Sequence, residues 1–249
     1  MLLLSGEVMA LRTISSLNSK MKLLSVGTNA KTIKGDSEEV LTAIMYLAPH
    51  TMSGYEVCPN SSEGCRNVCL VTAGRGAMTT VQQARIRKTK LFFEDNDEFI
   101  TQLINDINLF QTFCLDNNIQ GYVRLNGTSD ILWESYGIFE QFPDLRFYDY
   151  TKIHGRNVSK YSNYKLTFSR SEDHDDQDIL SAIELGHNVA IVFDELPESY
   201  LGIPVIQGDL SDLRWEDPDN VIVGLKAKGK ARKSTKEEDK GFVIRTINI

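Results

Sequence analysis

Gly121-Tyr-Val-Arg-Leu-Asn-Gly-Thr-Ser-Asp130 is the stretch from which the fold can be worked out. Gly121 to Leu125 is a short apolar run and predicts a strand. Asn126, Thr128, Ser129 and Asp130 form a polar cluster of the kind that caps helices, and Ile131 to Phe142 predicts the helix it caps. Strand, polar turn and helix in that order make half of a parallel βαβ unit.

The same order recurs on either side. Leu145-Arg-Phe-Tyr-Asp-Tyr150 predicts a strand and runs into Thr151-Lys152. Tyr164-Lys-Leu-Thr-Phe168 predicts another and runs into Ser169-Arg-Ser-Glu172. A helix over Asp175 to Leu185 leads through Gly186 to the strand Asn188 to Phe193, and Ile203 to Gln207 and Val221 to Leu225 predict two more. Upstream, Val40-Leu-Thr-Ala-Ile-Met-Tyr-Leu-Ala-Pro49 predicts a buried strand ending at proline. Thr79 to Phe93 predicts a helix with a basic face (Arg85, Arg87, Lys88, Lys90) that is either solvated or binds phosphate or a nucleotide. Phe99, Leu103, Ile107, Phe110 and Cys114 recur at helical spacing between Asp97 and Asn117. About seven strands alternating with helices predict an α/β fold with a parallel sheet, curled into a full or partial (β/α) barrel. An open doubly wound sheet is the alternative. Residues 1–35 predict a weakly ordered arm with one short strand, and 36–249 a single α/β domain.

The chain has 249 residues, 41% apolar and 24% charged, with a net charge of -7. That balance suits a water-soluble globule and argues against a general nucleic-acid coat. No apolar run is long enough to span a membrane, and the first residues lack the basic leader of a signal peptide. A cytoplasmic location with reduced thiols is therefore expected, and clustered cysteines there point to metal or redox chemistry.

Three of the four cysteines lie in Cys58-Pro-Asn-Ser-Ser-Glu-Gly-Cys65-Arg-Asn-Val-Cys69. Pro, Asn, Ser and Gly make the first gap a loop, whereas the four-residue step from Cys65 to Cys69 fits one face of a helical turn. Three accounts compete: small buried hydrophobes, zinc ligands, or ligands of an iron–sulfur cluster. Zinc needs a fourth ligand, for which His50 is a candidate. Cys114 sits on the apolar stripe and reads as core. Three thiolates around a cluster leave one iron open to a substrate or cofactor, so the odd count favours chemistry over scaffolding.

Polar clusters follow nearly every predicted strand: Asn126/Thr128/Ser129/Asp130, Asp149/Tyr150/Lys152, Ser169/Arg170/Glu172, Gln207/Asp209 and Lys226/Lys228. In a parallel barrel these ends share the face where active sites are built. Asn126, Thr128 and Ser129 offer neutral donors and acceptors, and Arg170 offers a fork for a carboxylate or phosphate. The basic stretch Lys226 to Lys236 is either a mobile solvated loop or a lid.

The runs Cys58-x6-Cys65-x3-Cys69-Leu-x-Thr-Ala-Gly-Arg-Gly, Gln83-Ala-Arg-Ile-Arg-Lys-Thr, Arg124-Leu-Asn-Gly-Thr-Ser-Asp and Phe147-Tyr-Asp-Tyr-Thr-Lys resemble an uncharacterised bacteriophage and prophage family known as gene product eighty-eight. So do Leu166-Thr-Phe-Ser-Arg-Ser-Glu and Val221-Ile-Val-Gly-Leu-Lys-Ala-Lys-Gly. The resemblance runs from about Tyr46 to the C-terminus and implies a phage protein acting in bacterial cytoplasm. The layout is also similar to that of radical S-adenosylmethionine (SAM) enzymes, although C-x6-C-x3-C is wider than their commonest C-x3-C-x2-C. That likeness implies a [4Fe-4S] cluster on Cys58, Cys65 and Cys69, with SAM on the open iron. Asn126, Thr128, Ser129, Asp130 and Arg170 would then hold cofactor or substrate, and Asp149, Tyr150, Lys152, Glu172 and Lys226 would line the pocket. The expected substrate is a small molecule or nucleotide, a nucleic acid or a host protein. The alternative is a non-catalytic binding protein stabilised by zinc or a cluster.

Overall fold

The computed structural model describes residues 13–27 and 39–246. Its strands are β1 (Leu24–Val26), β2 (Val40–Met45), β3 (Gln120–Arg124), β4 (Arg146–Thr151), β5 (Tyr164–Ser169), β6 (Asn188–Phe193), β7 (Ser199–Tyr200), β8 (Ile203–Gln207) and β9 (Ile222–Lys226). They form one mostly parallel sheet of nine strands, in the order β1-β2-β3-β4-β5-β6-β9-β8-β7. Only β1–β2 and β7–β8 are antiparallel pairs. The seven strands expected of the domain are present; β1 is a short strand within the arm, as expected there, and β7 is an addition, the two sitting at the sheet's ends.

Alternation along the strands sorts the side chains. Leu41, Ala43, Val123, Phe147, Leu166, Phe168, Val189, Ile191 and Ile222 fall on one face by register. Helices Thr79–Glu94, Asn96–Asp116, Ile138–Gln141 and Asp176–Glu184 bring Phe92, Phe99, Phe110, Phe139 and Ile179 to that same face. Burying each such ring or branched chain contributes roughly 1.5–3 kcal/mol. A doubly wound sheet would carry helices on both faces and reverse its strand order near the middle. Here the order rises without reversal from β2 to β6. The opposite face holds Tyr122, Arg124, Tyr148 and Tyr150 and is met by the connection that contains Leu213 and Trp215.

Ile131 to Phe142 is not one helix, as the sequence suggested. Gly137 adopts φ 67 and divides a 3₁₀ turn, Trp133–Tyr136, from the short helix Ile138–Gln141. A left-handed residue ends a helical run, and glycine adopts it without steric cost.

Within the expected N-terminal arm, residues 13–20 are helical, and Leu17, Met21, Leu23, Leu24 and Val26 are buried in the main core. Asp106 accepts the backbone N–H groups of Lys22, Leu23 and Leu24, which fastens β1 beside the long helix. The remainder of that stretch lies outside the described residues. Among the described residues, no helix is long and apolar enough to cross a membrane.

Candidate functional site at the cysteine loop

Ser62 starts the short helix Glu63–Asn67, accepting the N–H of Cys65 at 3.2 Å. Glu172, just past β5, takes the Ser62 hydroxyl at 2.6 Å and the Gly64 N–H, so a carboxylate sits at the positive end of the helix. The sequence placed Cys65 and Cys69 on one helical face. The helix instead ends at Asn67, and Cys69 is extended, with φ -50 and ψ 135. Val68 is drawn into a small core with Ala227, Ala231 and Val243, and the chain leaves the helix there.

Cys58 approaches from the other side. Its thiol faces the Thr128 carbonyl at 3.5 Å and the His50 N–H at 3.5 Å. The His50 ring is turned to Glu56. Burial, opposed by the His50 N–H and reinforced by Cys65 and Cys69, pushes the Cys58 thiol up to about 12. Burial also raises Cys65, opposed by the Lys152 ammonium and reinforced by Cys69. The three thiols therefore lie within electrostatic range of one another, at the end of the sheet where β2, β3 and β5 finish. Among the described residues, no group of three or more His, Cys, Asp or Glu stands close enough together to hold a single metal ion. The three sulfurs are partly sheltered, and thiolates are soft ligands. Cys114 is 3% exposed on the core stripe, as the sequence implied.

The other candidates divide by location. Lys152 reaches the rim: its ammonium bonds the Ser169 carbonyl at 3.2 Å and hydroxyl at 2.9 Å. Thr128 bonds the Leu47 carbonyl at 2.5 Å and offers its own carbonyl to Cys58. Asn126, Ser129 and Asp130 build the loop from within. The Asn126 carbonyl oxygen accepts from Ser129, Ile131 and Trp133, and Asp130 accepts from Lys152 N and Arg156. One terminal nitrogen of Arg170, Nη1, bonds the carbonyls of Gly241 and Phe242, which ties this side chain to the C-terminal segment. Asp149 is 1% exposed on the helix-covered face, where it accepts the Asn126 N–H at 2.7 Å. Tyr150 lies on the other face under the Arg124 guanidinium, 4.6 Å from its ring centre. Lys226 ends β9 with an exposed side chain, and its N–H bonds Asp209. Strand alternation thus keeps Asp149 and Tyr150 from lining one pocket.

The stretch after β9 is not a free loop. Gly229 comes against Ala73, and the helix Lys236–Asp239 packs on the cysteine helix so closely that a Cβ at Gly64 would stand 2.0 Å from the Asp239 carbonyl oxygen. Asn67 bonds the Glu238 carbonyl at 3.0 Å.

Two features escaped the sequence. Arg156 is a buried hub that pairs with Asp130 at 3.1 Å and Glu134 at 2.6 Å. Arg85, grouped above with a basic helix face, is 9% exposed, and its guanidinium lies 4.5 Å from the Tyr46 ring centre. Lys88 also turns inward, to the Leu23 carbonyl, which leaves Arg87 and Lys90 as the exposed members of that face. The signal that could have found them was a run of four cations in the middle of a helix whose last residue, Glu94, and C-cap, Asp95, are acidic.

A family model described as Gene product 88 matches residues 20–246. No curated protein matches the chain. No solved structure matches it.

Proposed function

The chain belongs to the Gene product 88 family, and we propose that it is a phage-encoded iron–sulfur protein with a radical-SAM-like catalytic site. In this reading Cys58, Cys65 and Cys69 ligate a [4Fe-4S] cluster, and the sheet curls as a partial barrel around the rim that carries them. The observation behind it is the approach of three partly buried thiols, Cys58 from the loop and Cys65 and Cys69 from the short helix and its exit, to one end of a parallel sheet. When bound, such a cluster supplies one-electron chemistry at an iron open to a cofactor such as SAM.

The chain's own residues have definite parts to play. Glu172 fixes the cysteine helix, Thr128 and the His50 N–H orient Cys58, and Lys152 favours the thiolate of Cys65. Residues 227–246 shield the helix from water. The substrate class is a small molecule, nucleotide, nucleic acid or host protein modified in bacterial cytoplasm; this step is by analogy of layout.

Anaerobic purification followed by metal and acid-labile sulfide analysis tests the proposal. Iron with matching sulfide supports it, and stoichiometric zinc on a colourless protein sinks it. Cys69→Ser should lose the iron, whereas Cys114→Ser should keep it. Release of 5′-deoxyadenosine from SAM under reductant tests the cofactor separately. A non-catalytic binding protein held by metal is the second reading. It is favoured by exposed Leu70 and Met78, which flank Arg75 just after the third cysteine and suit a partner surface.

A further inference from the structure

Three arginines are buried among the described residues: Arg85, Arg156 and Arg214. Arg156 has Asp130 and Glu134, and Arg214 lies 3.1 Å from Asp217. Among the described residues Arg85 has no carboxylate partner, and its Nε is without any hydrogen-bond partner. A buried cation without a counter-charge is expensive, because water is lost and nothing replaces it. The Tyr46 face beneath it offsets part of that cost but offers no acceptor to the N–H donors. Nor does a neighbouring cation help, since Lys88 lies within its electrostatic range.

Its place is as unusual as its state. Cys69 is among the groups whose charge it feels. The Tyr46 ring below it also abuts Gly127, where an added Cβ would come within 2.7 Å of the ring. Tyr46 therefore ties Arg85 to the loop whose Thr128 carbonyl receives the Cys58 thiol. A guanidinium over a ring, here 4.5 Å from the Tyr46 ring centre, keeps its fork for two parallel hydrogen bonds to a planar or tetrahedral oxyanion.

We propose that Arg85 is an anion-binding residue that receives the carboxylate or phosphate of a small molecule held beside Cys69. The proposal rests on the reading of the cysteine rim as a ligand site, and it names what that ligand must carry.

The test is thermal unfolding of the full chain at low ionic strength, alone and with inorganic phosphate or succinate, together with iron content. The proteins are wild type, Arg85→Met, Arg85→Lys and the exposed control Arg87→Met. Without anion, Arg85→Met should melt no lower than wild type, since it removes an unpaired buried charge. Phosphate or succinate should raise the melting temperature of wild type and Arg87→Met, leave Arg85→Met unmoved, and shift Arg85→Lys only weakly. Which anion acts tells phosphate from carboxylate. Iron content should be equal in all four.

No shift of wild type with either anion overturns the proposal. So does an Arg85→Met protein that melts lower and is shifted as much as wild type, which would make Arg85 structural. Iron lost from Arg85→Met together with the shift would make the metal centre itself the anion, and also overturns it. If wild type holds no iron, the iron–sulfur reading falls while the melting arms still decide Arg85.

Discussion

Asp149 and Tyr150 are adjacent in sequence and point to opposite faces of the sheet. Asp149 lies under the Asn126 loop, where burial lifts its carboxyl from 3.8 to about 7 against the pull of Arg124 and the Asn126 N–H. The folded protein then holds this proton more tightly than the unfolded chain. Its contribution to stability is greatest near pH 4, falls as pH rises towards 7, and is flat above that. Asp149→Asn keeps an acceptor for the Asn126 N–H and removes the titration. Between pH 5 and 8 the variant should therefore lose about 2–3 kcal/mol less stability than wild type, as read from urea midpoints. An unchanged pH slope would place its source elsewhere. Sequence alone marked Asp149 as out of place in an apolar strand. It could not say that the carboxylate supports a loop instead of facing substrate, because that depends on which face the helices cover.

The cysteine helix is only five residues long, too short to stand by itself. It persists because both ends are held from elsewhere: Glu172 at its start, and residues 236–239 along its side. Gly64 is where that contact is tightest. Gly64→Ala should force the C-terminal helix away and cost about 1–3 kcal/mol, with faster proteolysis near residues 230–240. An unchanged melting temperature and proteolytic pattern would show that the contact is dispensable. The cysteine spacing announced a metal-type motif, and Cys114 was separable from it by helical periodicity. That Cys69 would leave the helix was not visible, since the apolar partners of Val68 lie more than 150 residues further on.

At the scale of the molecule, the last segment is a strap across the candidate site. Ile244 bridges to Phe193, Thr246 bonds Asp194, and Arg170 holds the Gly241 and Phe242 carbonyls. A chain ending at Lys226 should lose hydrogen-exchange protection over residues 62–78 but keep it in β2 to β5 and the long helix. Equal protection in both forms would show that the cysteine helix is self-sufficient. The sequence by itself determined the alternation of strands and helices, the seven parallel strands, the core stripe through Cys114 and the clustering of three cysteines. Each of these is written in local periodicity or spacing. Only the tertiary structure decided that Arg170 serves the strap, that Arg85 is buried with no carboxylate partner among the described residues, and that one helix-covered face separates Asp149 from Tyr150. The charge state and accessibility of a side chain are set by neighbours distant in sequence, and no local pattern encodes them.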